Sequence, residues 1–208
     1  MTNRQGETRV AAATIIGTAI EWYDFFLYAA AAGLVFNKVF FASSEPAIAT
    51  LLSFLTVGLS FLFRPLGAFL AGHFGDRIGR RKVLMITLFG MGIATTLIGV
   101  LPTYADAGII APLLLLFLRI IQGISAGGEW GGAVLMAVEH APENRRGLFG
   151  AFPQIGVPIG LLMSSGVLAV MTMITPGEQF LQWGWRVPFL LSFVLIFVGH
   201  YIRHRVAE

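Results

Sequence analysis

The chain has 208 residues, 56% hydrophobic and 12% charged, with a net charge of +3 and a mean hydropathy of +0.79. A soluble domain carries about 25% charged residues, so this chain cannot clothe itself for water, and its solvent is expected to be lipid. The positive charge is no nucleic-acid signal, because the basic residues sit at the ends of apolar runs, and the absence of cysteine excludes thiol chemistry and a Cys-type metal site.

Six apolar segments follow one another, over about 11–36, 47–71, 83–101, 111–138, 148–174 and 186–202. Each approaches or exceeds the roughly 20 residues that an α-helix needs to cross about 30 Å of hydrocarbon. The alternation of a membrane β-barrel is absent. The expected fold is an all-α membrane protein of six transmembrane helices. Breakers separate the segments: "SSEP", "PTYADAG", "HAPENRRG" and "TPGEQ".

The first segment opens like a signal peptide, with a charged start and an apolar run. It continues past Glu21 and Asp24 without a cleavage-like site, and reads as an uncleaved membrane helix. Gly17, Glu21, Asp24 and Tyr28 recur at helical spacing and share one face. Charge at a helix centre costs about 2.5–3.5 kcal/mol on insertion. This face therefore either lines a polar cavity, where a carboxyl could carry a proton, or is a structural pair bonded to neighbouring helices.

The second segment holds Arg64-Pro65. Proline kinks a helix and frees a carbonyl. Arg64 could snorkel, pair with Glu129 or Glu139, or touch substrate. The connection to the third segment, "GHFGDRIGRRK", is dense in charge and spaced by Gly72, Gly75 and Gly79. It reads as a tight, permissive loop.

The fourth segment carries Arg119, Gln122, Ala126 and Glu129 on one stripe. At about 1.5 Å per residue, Arg119 and Asp24 fall at depths where they could meet, with Glu129 deeper. Arg119 could exchange between a first-segment carboxylate and the substrate or protonation step, or stand as a permanent Arg–Asp brace. Gly123, Gly127 and Gly131, with Gly128 and Gly132, form a surface for close helix approach. The fifth segment, with "QIGVPIG", is expected to bend, and Gln154 is a cavity candidate. Trp22, Tyr23 and Trp130 are candidate cavity walls, and Trp183, Trp185 and Arg186 resemble an outer interfacial belt. The four histidines are scattered, so no metal site is expected; no phosphate-cradling loop or nucleophile elbow appears.

Ten of the fourteen Lys and Arg fall at one side: Arg4, Arg9, Arg77, Arg80, Arg81, Lys82, Arg145, Arg146, Arg203 and Arg205. Only Lys38 and Arg186 fall at the other. The positive-inside rule then places both termini in the cytoplasm.

The pattern of Gly72, Asp76, Arg77, Gly79, Arg80 and Arg81 resembles the signature between helices 2 and 3 of the major facilitator superfamily. "RIIQG", with Arg119, Gln122 and Gly123, is a second match. "EHAPENRRG", with Glu139, Arg146 and Gly147, is similar to a third signature, of sugar-porter-like members. "GTAIEWYDFFLYA", "RPLGAFLAGHFGDRIGRRK" and "GGEWGGA" narrow the resemblance to the metabolite:proton symporter family, which includes transporters of α-ketoglutarate, citrate, shikimate, proline and betaine.

The resemblance implies about twelve helices in two six-helix halves. Residues 1–208 match the N-terminal half, and the C-terminal half is absent from this sequence. It implies that Asp76 braces the other half, and that Arg119 takes part in proton coupling. The expected function is proton-coupled symport of a small organic acid or zwitterion by alternating access, in a bacterial inner membrane. Glu21, Asp24 and Arg119 would couple protons. Tyr28, Gln122, Gln154 and Glu129 would line the substrate cavity. Gly72, Asp76, Arg77, Gly79, Arg80, Arg81, Glu139 and Arg146 would form a cytoplasmic gate. The alternative is a non-transporting fragment, or a half that needs a second six-helix partner or another copy. No enzyme activity and no cofactor are expected; the partners are a small molecule, the proton, lipid and the missing half.

Overall fold

A computed structural model describes residues 2–206. The side chains of residues 2–5, 135, 136, 203 and 206 lie outside the described set, and with them Arg4 and Arg203 of the charge count. The chain is all-helical among the described residues, and six helices are long and apolar enough to cross a membrane.

We number them in chain order: α1 Thr2–Ala31, α2 Pro46–Ile78, α3 Arg80–Ile98, α4 Ile110–Glu139, α5 Arg146–Ile174 and α6 Arg186–Val206. α1 continues through a π-helical turn, Ala32–Phe36, into Asn37–Val39. Several helices outrun the apolar segments. α1 starts well before residue 11 and α2 extends past residue 71. Hydropathy marks only the hydrocarbon-facing part of a helix, and polar turns continue beyond it.

The charged connection read as a loop is almost entirely helical. Gly72 and Gly75 lie within α2, and Gly79 alone separates α2 from α3. Gly79 has φ 99° and ψ 134°, a conformation that residues with a Cβ rarely adopt. One residue thus turns the chain between two membrane helices.

Close packing follows the small residues. α1 lies against α5 and α2 against α4; α3 touches α4 and α6, and α6 returns to α1. Exchanging the first three helices with the last three maps α1–α5 onto α4–α2, so the packing is internally pseudo-symmetric. A Cβ at Gly127 would stand 2.0 Å from the Arg64 carbonyl oxygen, and one at Gly123 would stand 2.4 Å from that of Ser60. A Cβ at Gly156 would stand 2.8 Å from backbone atoms of α1, and one at Gly160 2.7 Å. Gly128 and Gly132 meet side chains of α2 and α3, whereas Gly131 faces open space.

A core of Tyr23, Leu27, Tyr28, Phe36, Ile98, Leu115, Trp185 and Phe189 fills one end of the bundle. Trp185 corrects the expectation of an interfacial belt. It is fully buried, edge-on to Phe36, Phe40 and Phe189, while Trp183 is exposed. A π-helical turn at Phe180–Gly184 precedes Trp185, and the extra residue in that turn shifts the helix face inward. Arg186 donates to the carbonyls of Gly99 and Leu101 at 3.2 and 2.6 Å, tying α6 to the end of α3.

Candidate functional site

The face of α1 formed by Gly17, Glu21, Asp24 and Tyr28 is buried throughout. Three of these residues meet α3, α4 and α6. Glu21, Asp24 and Glu129 line one small cavity, together with Gly17, Leu88 and Gly92. Asp24 is 2% exposed, and its Oδ1 accepts a 2.8 Å hydrogen bond from Ser192 Oγ of α6. Glu129 Oε2 accepts one of 2.9 Å from Thr87 Oγ1 of α3. Three buried carboxyls around one cavity is a costly arrangement in hydrocarbon, and such groups mark ion or proton pathways in membrane proteins.

Arg119, also 2% exposed, stands beside this cavity rather than in it. Its Nε donates to the Thr56 carbonyl at 2.9 Å, one terminal nitrogen to the Val57 carbonyl at 3.3 Å, and the other to Gln122 Oε1 at 2.7 Å. The guanidinium carbon lies 3.7 Å from the centre of the Tyr28 ring. Tyr28 is itself fixed: Thr56 donates to the Ser53 carbonyl, so Tyr28 donates to Thr56, at 2.6 Å. Among the described residues no carboxylate forms an ion pair with Arg119. The direct Arg–Asp contact expected from helix depths is therefore replaced by a relay. Gln122 Nε2 donates to Thr95 Oγ1 at 2.8 Å, and the Thr95 hydroxyl, which donates to the Met91 carbonyl at 2.9 Å, lies beside Asp24.

A second environment occupies the outer side of α1 and α2. Trp22, Phe25, Phe26 and Phe61 form a chain of ring contacts 5.2–5.4 Å apart. The Arg64 guanidinium lies 4.4 Å from the Phe61 ring centre and 5.7 Å from that of Phe25. The ion pairs suggested for Arg64, with Glu129 or Glu139, do not form. Gln154 is exposed on α5 and joins neither the relay nor the carboxyl cavity. Tyr23 is a core residue, donating to the Pro188 carbonyl at 2.7 Å, and Trp130 is half exposed.

At the arginine-rich end an open groove of about 650 Å³ lies between α2, α3 and α4. Gly72, Asp76, Arg80, Arg81 and Glu139 line it. Arg80 donates to Glu139 Oε1, joining the first sequence signature to the start of the third. Arg77 and Arg146 are exposed outside the groove. Arg145, not Arg146, reaches α1, with a 3.7 Å ion pair to Glu7.

Sequence reasoning did not single out Ser192, Thr95, Thr87 or Thr56. Their signal was an isolated hydroxyl in an apolar run, a pattern that helix-internal bonding to carbonyls also produces. His200 and His204 stand one turn apart with ring centres at 6.1 Å. No group of three or more potential metal ligands occurs among the described residues.

The family model for sugar (and other) transporters matches residues 10–208. The chain belongs to the sugar (and other) transporter family of the major facilitator superfamily. This family member is 50% identical, over 96% of its length, to the shikimate transporter of Escherichia coli (strain K12), and covers 46% of that protein. It is 40% identical to the proline/betaine transporter of Salmonella typhimurium, over 94% of this chain and 39% of the relative. Its fold matches the proton:xylose symporter XylE bound to 6-bromo-6-deoxy-D-glucose, with a TM-score of 0.82 at 19% identity, over 96% of this chain and 45% of that one. The chain spans about half the length of the curated relatives it matches.

Proposed function

We propose that this chain forms one six-helix half of a proton-coupled symporter for a small organic acid or zwitterion, with both termini in the cytoplasm. The observation that carries this reading is the cavity shared by Glu21, Asp24 and Glu129, with the chain from Arg119 through Gln122 ending at Thr95 beside Asp24. A buried carboxyl in hydrocarbon has two low-cost states, neutral or hydrogen-bonded. Protonating Asp24 would release Ser192 to another acceptor and loosen the contact of α1 with α6. A proton taken up on one side would then bias the packing of the bundle, as alternating access requires.

The substrate would sit near the membrane midplane against α1 and α2, on the aromatic side rather than in the small carboxyl cavity. The relatives named as shikimate and proline/betaine transporters favour a carboxylate-bearing metabolite. The experiment is uptake of labelled shikimate, proline and glycine betaine by the product of this gene, with and without an inward proton gradient. Accumulation that ignores the gradient would remove proton coupling.

A second reading is a half that works only with a six-helix partner or another copy. It is favoured by the matched length, about half that of the relatives, and by α2 and α5, the two least buried spans, whose apolar faces are uncovered. Size analysis in lipid nanodiscs, with and without the rest of the gene product, separates the two.

A further inference from the structure

We infer that Arg64, and not Arg119, contacts the carboxylate of the transported molecule; this rests on the transport reading above and names the group that would recognise the substrate. The two arginines sit within electrostatic reach of each other, yet their surroundings differ. Arg119 is enclosed: all three of its nitrogens donate to protein acceptors and its face lies on Tyr28. A guanidinium held in this way has little geometry left for a ligand. Arg64 is half-buried, and no hydrogen bond or ion pair holds it among the described residues. Its Nε is enclosed and unmet by any acceptor.

A cation in the middle of a membrane helix with five donors and no acceptor is a costly element unless an anion completes it. The site is also walled. Phe25 and Phe61 lie against the guanidinium, and Trp22 and Phe26 extend the aromatic surface along α1. A planar fork suits a carboxylate bidentately, and aromatic rings suit a carbon ring or a quaternary ammonium body. Position fits as well. Arg64 precedes Pro65 at a close crossing of α2 and α4, where its own carbonyl meets Gly127. A ligand on Arg64 would therefore act on the α2–α4 contact directly.

These 208 residues contain no cysteine, and any cysteine elsewhere in the gene product is first replaced by serine. Arg64→Cys is introduced into the gene product, and uptake of labelled shikimate, proline and glycine betaine is measured in membrane vesicles. For every compound that the unaltered protein transports, KM should rise at least about ten-fold, the value of one lost charge-assisted hydrogen bond, with a smaller change in kcat. Treatment with aminoethyl methanethiosulfonate, which restores a cation, should lower KM again, while the sulfonatoethyl reagent should not. Arg64→Lys should lie between Arg64→Cys and the unaltered protein. An unchanged KM in Arg64→Cys overturns the inference, as does uptake that neither reagent alters at normal membrane levels. If the unaltered protein takes up none of the three carboxylates, the transport reading for this substrate class fails, and this inference with it.

Discussion

Gln122 bridges two helices: its carbonyl oxygen accepts from Arg119 at 2.7 Å, and its amide donates to Thr95 at 2.8 Å. Arg119 and Gln122 share α4, while Thr95 belongs to α3, so the amide ties a buried cation to the neighbourhood of Asp24. Gln122→Leu keeps the volume and removes both bonds. It leaves a buried Arg119 nitrogen unmet, a loss of about 1–3 kcal/mol. The expected result is a lower melting temperature in detergent together with weakened proton-driven accumulation. Thermal unfolding and uptake under a fixed gradient check it. Unchanged accumulation would detach the relay from coupling.

Asp24→Asn keeps an oxygen for Ser192 and removes the site of proton binding. Proton-driven uptake should fall at least about ten-fold, which is about 1.4 kcal/mol of lost driving interaction. Substrate exchange without a gradient should persist. Equal pH profiles for the variant and the parent, measured from pH 5.5 to 8.5, would exclude Asp24 as the coupling group.

Gly127→Ala and Gly131→Ala separate packing from mere helix propensity. The added Cβ at Gly127 meets the Arg64 carbonyl at 2.0 Å, whereas at Gly131 nothing lies within 4 Å. The first should cost about 1–3 kcal/mol or more, because backbone must move. The second should be neutral or stabilising by a few tenths to about 1 kcal/mol. Melting temperatures of the two purified variants decide it. Equal stability would mean that α2 and α4 do not cross as closely as described.

Glu139→Gln removes the Arg80 partner at the arginine-rich end. Both side chains are about half exposed, so the stability change should stay below about 1 kcal/mol. It should vanish in high salt. A larger or salt-independent effect, read by thermal unfolding at two ionic strengths, would place this pair in a buried network.

Orientation is testable with single cysteines at Asn144 and Ser44, since the chain has none of its own. An impermeant maleimide should label Ser44→Cys in intact cells and Asn144→Cys only after permeabilisation. The reverse pattern would invert the topology drawn from the ten basic residues.

The number of spans was readable because each hydrocarbon-facing run is long and apolar. Helix ends were not, since α1 and α2 carry polar turns outward that no hydropathy pattern distinguishes from loops. Spacing along one helix placed Glu21 with Asp24, and Arg119 with Gln122. It could not say what Arg119 meets, because the Thr56 and Val57 carbonyls are backbone groups that every residue possesses. Trp185 eluded the same logic for another reason. The π-helical turn before it adds a residue and rotates by about 100° the face that regular 3.6-residue spacing assigns.

Gly79 is the whole joint between α2 and α3. An α-helix turns about 100° per residue, so one inserted or deleted amino acid there would swing the whole of α3 around its own axis. Thr87 and Thr95 would be carried away from Glu129 and Gln122 together. An insertion at this joint should therefore disturb the acid-bearing interior more than one placed in the other links of the chain.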